Sequence, residues 1–149
     1  MGIAKINKTI KSTRERTWAA FTNFEQAAKK IRGIEQIEIL ERGDEQGIGL
    51  RFRETRRFGK RLHTEELEVT HAQAPAALCI ESNACGGRFK SSFQFTPSGE
   101  STDVSVELSF KPLSLMAKIC TPIKGLLLGS CVKAMQADLD DLQRAIEGE

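Results

Sequence analysis

The sequence predicts an α+β domain: a curved, seven-stranded antiparallel sheet around a long C-terminal helix, with two short helices after the first strand. The first of three observations is that Leu128, Val132, Met135, Leu139, Leu142 and Ile146 recur at steps of four and three. They form one apolar stripe on a helix over residues 122–146, about 37 Å long at about 1.5 Å per residue. Second, the chain before that helix reads as strand-like alternation broken by turn residues. Third, the stripe needs a cover of its own length, and the strands are the available cover. A bent sheet holding a long helix encloses space between the two layers, which points to a small apolar ligand held inside.

Residues 4–10 alternate Ala4, Ile6 and Ile10 against Lys5, Asn7 and Thr9, an opening strand with Lys8 as the misfit on its apolar side. Ser12 is placed to cap a short helix, with Glu15 completing a capping box and Trp18 and Phe21 on the buried side. A second helical piece is expected over 25–30, ending at Gly33. Six strands follow, at 34–41, 49–57, 61–70, 77–83, 88–96 and 103–111. Their punctuation is 43–47, Gly59 with Lys60, Ala74 with Pro75, Gly86 with Gly87, and 97–99. Pro112 ends the last strand, Ser114 is placed to cap a helical turn over 115–119, and Thr121 and Pro122 read as N-cap and first residue of the long helix. With no repeat, low-complexity run or linker, residues 1–149 read as one domain.

A chain of 149 residues can bury a sizeable core without staples. Its 22 basic and 20 acidic residues leave a formal charge of +2, unlike the basic excess of a nucleic-acid domain. Arg51, Arg53, Arg56, Arg57, Lys60 and Arg61 cluster, but Glu65, Glu66 and Glu68 lie across a hairpin from them. One Trp and no Tyr leave little for base stacking, so no nucleic-acid partner is expected. Cys79, Cys85, Cys120 and Cys131 contain no CxxC pair, and the two His residues have neither zinc nor haem spacing, so neither a metal nor a cofactor is expected. Cys120 and Cys131 would stand about 16 Å apart along a continuous helix, too far to bridge. All four are expected as free thiols in a reducing, cytoplasmic compartment. The N-terminus lacks the apolar region of a secretory signal, and Ile6 breaks the myristoylation pattern. Lys118, Pro122 and Lys124 interrupt the apolar run over 113–132, which argues against a transmembrane segment. A homodimer stays open.

Two stretches resemble a known family. Residues 10–23 (IKSTRERTWAAFTN) resemble the entry helix, and residues 47–69 (GIGLRFRETRRFGKRLHTEELEV) the central hairpin, of the START-like helix-grip superfamily, in particular its polyketide cyclase/dehydrase-like, SRPBCC-type ligand-binding domains. The order of elements resembles it over nearly the whole chain. The resemblance implies the helix-grip fold with a ligand cavity between sheet and C-terminal helix. Members include lipid carriers, quinone-binding chaperones and aromatase/cyclases. It carries no catalytic residue over to this sequence.

The hairpin around Gly59-Lys60 can be put in register. A two-residue loop led by Gly pairs Phe58 with Arg61, which sets Arg53 opposite Glu66 and Arg51 opposite Glu68 on one face, and Leu50 opposite Val69 and Phe52 opposite Leu67 on the other. Continuing inward-facing positions toward the turn sets Glu54 opposite Glu65 and Arg56 opposite His63. Two facing carboxylates repel, so one keeps a proton or Arg56 and His63 neutralise them. The plain alternative is a hairpin that outruns the core and leaves these groups in water.

Phe89, Ser91, Phe93 and Phe95, opposite Val104, Val106, Leu108 and Phe110, give the next inward surface, part core and part cavity wall. Gly125 and Gly129 permit either close helix-on-sheet packing or room for a ligand. The expected ligand-binding residues are Phe52, Glu54, Arg56, His63, Glu65, Leu67, Phe89, Ser91, Phe93, Leu108, Leu128, Val132 and Met135. The leading expectation is a module binding a small hydrophobic or amphipathic molecule, a lipid, quinone, polyketide or aromatic compound. One alternative is a cyclase/dehydratase-type enzyme with Glu54, Glu65 and His63 as acid/base candidates. The other is a protein-interaction domain with a filled interior. No GxSxG, phosphate loop or dinucleotide fingerprint is present.

Overall fold

The computed structural model describes residues 2–84, 87–112 and 121–148, with side chains for these except residues 2, 3, 58, 84 and 121–128. The strands are β1 (Gly2–Ile10), β2 (Ile34–Glu41), β3 (Arg51–Phe58), β4 (Arg61–Gln73), β5 (Ala77–Ala84), β6 (Gly87–Ser98) and β7 (Ser101–Pro112). They form one antiparallel sheet in the order β1-β7-β6-β5-β4-β3-β2. Between β1 and β2 run α1 (Arg14–Thr22), a 3-10 turn (Phe24–Gln26) and α2 (Ala27–Lys30), and the chain closes with α3 (Thr121–Glu147). Strands β2 to β7 are a meander. Because β1 pairs with β7, the two short helices must carry the chain from one sheet edge to the other. This is the helix-grip fold that the element order predicts.

The sheet bends where its ladder slips. Register shifts fall between Ile34 and Gln36 and between Ile39 and Glu41 in β2, and between Val69 and His71 in β4, and an extra residue in one strand increases bend and twist. The β4 shift also explains why the strand outlasts the expected 61–70. Val69 and Ala72 are both buried, three residues apart, so alternation changes phase at Thr70 and then resumes. β3 starts two residues later than expected because Gly47 and Gly49, with φ of 94° and 91°, hold a left-handed backbone.

One expectation fails at α1. Thr13, not Ser12, is the N-cap: its hydroxyl accepts from the Arg16 backbone N–H, so the Ser12–Glu15 capping box does not form. Ser12 is instead buried, its carbonyl accepting from the Thr102 hydroxyl at 2.9 Å. Trp18 and Phe21 face the sheet as expected, each with its ring edge against Phe95, at 5.5 and 5.2 Å between centroids.

The C-terminal half of α3 carries the docking. Leu139, Leu142 and Ile146 are buried against Ile6, Ile10, Val104 and Val106, while Val132 and Met135 pack half-buried against the same core. Lys8, the misfit of β1, is paired with Asp140. The Lys11 backbone N–H donates to Glu147 at 2.9 Å, and the Gln143 amide donates to the Thr9 carbonyl at 3.1 Å. Asp141 is buried and accepts from the Arg32 backbone N–H at 2.9 Å and from its guanidinium at 3.2 and 3.1 Å. The side chains of Leu128 and Gly125, the Ser114 cap with the turn over 115–119, the Gly86 turn, Cys85 and Cys120 lie outside the described residues. Gly129 is exposed, and a Cβ there would meet no atom within 4 Å, so close packing does not account for it. Neither Cys79 nor Cys131 is in a disulfide. Among the described residues no helix is long and apolar enough to cross a membrane, and no group of His, Cys, Asp and Glu could hold a metal ion.

Candidate functional site

Between the concave sheet and α3 lies a chamber of about 1230 Å³. Its wall draws Phe21 and Phe24 from the entry segment, Phe52, Leu67, Leu78, Phe89, Phe93 and Leu108 from the strands, and Met135, Leu139 and Leu142 from α3. Phe24 stacks on Phe52 at 4.8 Å, which ties the 3-10 turn to the chamber floor. Such a volume exceeds the roughly 300–1,000 Å³ of ordinary small-molecule sites, with the same mix of apolar wall and few polar groups.

The β3–β4 register is the one read from charge and hydropathy, with Phe58 paired to Arg61, Arg53 to Glu66, Glu54 to Glu65 and Arg56 to His63. Gly59 takes the positive φ, 62°, that a loop led by Gly uses. On the outer face Arg53 bonds both Glu66, at 3.2 Å, and Glu38, at 3.0 Å. Arg51 reaches Glu66 at 3.1 Å, diagonally, rather than Glu68.

On the inner face exposure rises toward the hairpin tip. Phe52 and Glu54 are 2% and 8% exposed, and the side chains of Glu65 and His63 are 29% and 57% exposed. The solvated-hairpin reading therefore holds for His63 and fails for Glu54 and Arg56. Arg56 Nε contacts Glu54, and its Nη1 and Nη2 donate to Asp138 Oδ1 and Oδ2 at 3.0 and 2.5 Å. His63 lies 3.5 Å from Glu65, leaving Glu54 to Arg56.

Two buried carboxylates thus share one guanidinium. Burial is the largest effect on Glu54 and pushes its carboxyl above the usual range; Arg56 pulls it back, while Asp138 and Glu65 push the same way as burial. Asp138 is likewise raised by burial, against Arg56 and with Asp141. Burial alone would lower Arg56, but the two carboxylates reverse this and hold it firmly protonated. The cluster can keep a proton on a carboxyl at the chamber wall.

Of the expected ligand-binding residues, Phe52, Glu54, Arg56, His63, Glu65, Leu67, Phe89, Ser91, Phe93, Leu108 and Met135 line the chamber. Val132 packs against the core instead, and the Leu128 side chain is outside the described residues. Sequence reasoning missed Asp138 and Ser82. Asp138 sits three residues after Met135 and four before Leu142, so a carboxylate bordering the apolar stripe was its only signal. Ser82 is 5% exposed on β5, between Leu67 and Phe89, in a strand for which only the bounds were read from sequence.

Fold and site together define a helix-grip module with a polar cluster at one end of an apolar chamber. The chain belongs to the polyketide cyclase / dehydrase and lipid transport family, whose model matches residues 2–147. Among solved structures it is similar to the Zhui aromatase/cyclase from Streptomyces sp. R1128, with TM-score 0.79 and 17% identity over 98% of this chain and 93% of that one. It is also similar to norcoclaurine synthase from Thalictrum flavum (TM-score 0.73, 14% identity, 99% and 87% covered) and to the protein TTHA0849 from Thermus thermophilus (TM-score 0.70, 19% identity, 99% and 98% covered). At these identities the likeness is one of fold. No curated protein matches the chain.

Proposed function

We propose that this protein binds a small hydrophobic or amphipathic molecule, such as a lipid, quinone, polyketide or aromatic compound, in the chamber between sheet and α3. The observation that carries this reading is the chamber itself, about 1230 Å³ walled mainly by aromatic and aliphatic side chains. Affinity would come from apolar area removed from water, at roughly 25 cal/mol per Å², and orientation from the Glu54–Arg56–Asp138 cluster. The volume counts against a protein-interaction domain with a filled interior. The test is native mass spectrometry of the purified protein together with thermal melts against apolar compounds. Bound small molecules or upward shifts support the reading, and empty protein with no shift from any compound contradicts it.

A second reading, a cyclase/dehydratase-type enzyme, draws support from the family and from one specific feature. The Glu54 carboxyl, at the chamber wall, holds its proton more tightly than an ordinary glutamate, and a general acid there would face a bound carbonyl. Glu65 and His63 stand further out and would be secondary. With a substrate in hand, Glu54→Gln would cut turnover by about 10²-fold or more, with little change in KM. Unchanged turnover in Glu54→Gln and Glu65→Gln would remove the acid/base role.

A further inference from the structure

The polar end of the chamber carries more carboxylate than cation where it is buried. Glu54 and Asp138 are both buried and share Arg56, whose charge they already match twice. Glu65, half-buried, faces Glu54 across the ladder. The remaining basic side chains of the inner hairpin face lie outward, His63 beside Glu65 and Arg61 exposed at the tip. A second feature lies two strands away, roughly 10 Å at the usual strand spacing. Ser82 is on the chamber wall, 5% exposed, and its hydroxyl makes no hydrogen bond among the described residues. Its hydroxyl is therefore open to a polar atom of a guest.

An anionic head at this end would bring further negative charge, stripped of water, to a place where two carboxyls already share the one deep guanidinium. A head that donates a hydrogen bond meets the opposite situation, with carboxyl oxygens as acceptors and little cationic competition. We propose that the chamber selects amphiphiles with a non-anionic, hydrogen-bond-donating head, an alcohol or a protonated amine seated at Glu54, with the Ser82 hydroxyl left for a second polar group where a guest carries one, and discriminates against the matched carboxylic acid. This rests on the chamber being a ligand site.

The test compares dodecanol, dodecylamine and dodecanoate, which share one tail, by titration at neutral pH below their micelle concentrations. The expected result is at least tenfold weaker binding of dodecanoate than of either other compound. Glu54→Gln should narrow that ratio to under about threefold. Dodecanoate binding as tightly as dodecanol would overturn the proposal and leave the chamber reading intact. So would dodecanoate binding that disappears in Arg61→Ala, since the head would then sit at the tip. An unchanged ratio in Glu54→Gln overturns the role given to that residue. Failure of all three compounds to bind would overturn this proposal and the chamber reading together. The wild-type ranking decides the main claim even if a variant does not fold.

Discussion

Arg56 is the residue on which the buried polar end depends. Removing one partner of a buried ion pair leaves an uncompensated charge and typically costs about 3–5 kcal/mol. Arg56→Leu leaves Glu54 and Asp138 facing each other, so we expect a loss of about 3 kcal/mol at neutral pH by urea titration. The loss should shrink as pH falls and the carboxyls take up protons. A loss below about 1 kcal/mol would contradict the pairing. The pH profile of the wild type follows from the same groups. Folded Glu54 and Asp138 sit above their ordinary values, so they bind protons more readily folded than unfolded. Their contribution is fully present below those ordinary values and is lost as pH rises through the raised ones. Glu54→Gln should therefore lose less stability than wild type as pH rises above the ordinary glutamate value. Asp141 has the opposite sign. Burial would raise its carboxyl, but the Arg32 backbone N–H, the Arg32 guanidinium and Arg144 hold it down, so its contribution is lost as pH falls through the lowered value.

At the scale of elements, the sequence was most legible where two independent patterns coincide. The β3–β4 register satisfied a turn residue, an outward charge ladder and an inward apolar row at once, and a slip of one residue would have broken all three. The α1 cap was ambiguous because Ser12 and Thr13 are adjacent cap formers, and only the contact between Ser12 and Thr102 on β7 decides between them. Thr13→Ala should accordingly cost about 1 kcal/mol in thermal or urea unfolding, the usual value of an N-cap. Ser12→Ala should cost less, since the Ser12 hydroxyl has no partner among the described residues. Equal losses would contradict the assignment. The start of β6 gives a sharper case. A Cβ at Gly87 would stand 2.2 Å from the Phe110 ring and 2.7 Å from the Lys111 carbonyl, so Gly87→Ala should lower the melting temperature clearly, although a short strand-end glycine looks dispensable in sequence. Asp138 was illegible for a related reason. Residues 56 and 138 meet only because α3 docks across the concave sheet, and no local pattern encodes that contact.

For the whole molecule, the fold follows from local signals that agree, while the chamber follows from what they leave unfilled. Leu139, Leu142 and Ile146 are buried in the core along α3, and Met135, Ser91 and Phe52 line the chamber beside it. A guest that binds only the folded chain stabilises it by mass action, about 2.7 kcal/mol at a hundredfold excess over Kd. The most direct measurement is a native mass spectrometric titration with dodecanol on wild type and on Ser91→Trp, a substitution that places an indole on the chamber wall. Saturable one-to-one uptake by wild type is expected, and its loss in the variant, with both proteins folded. Uptake that persists unchanged in Ser91→Trp, or no uptake by wild type, would contradict it.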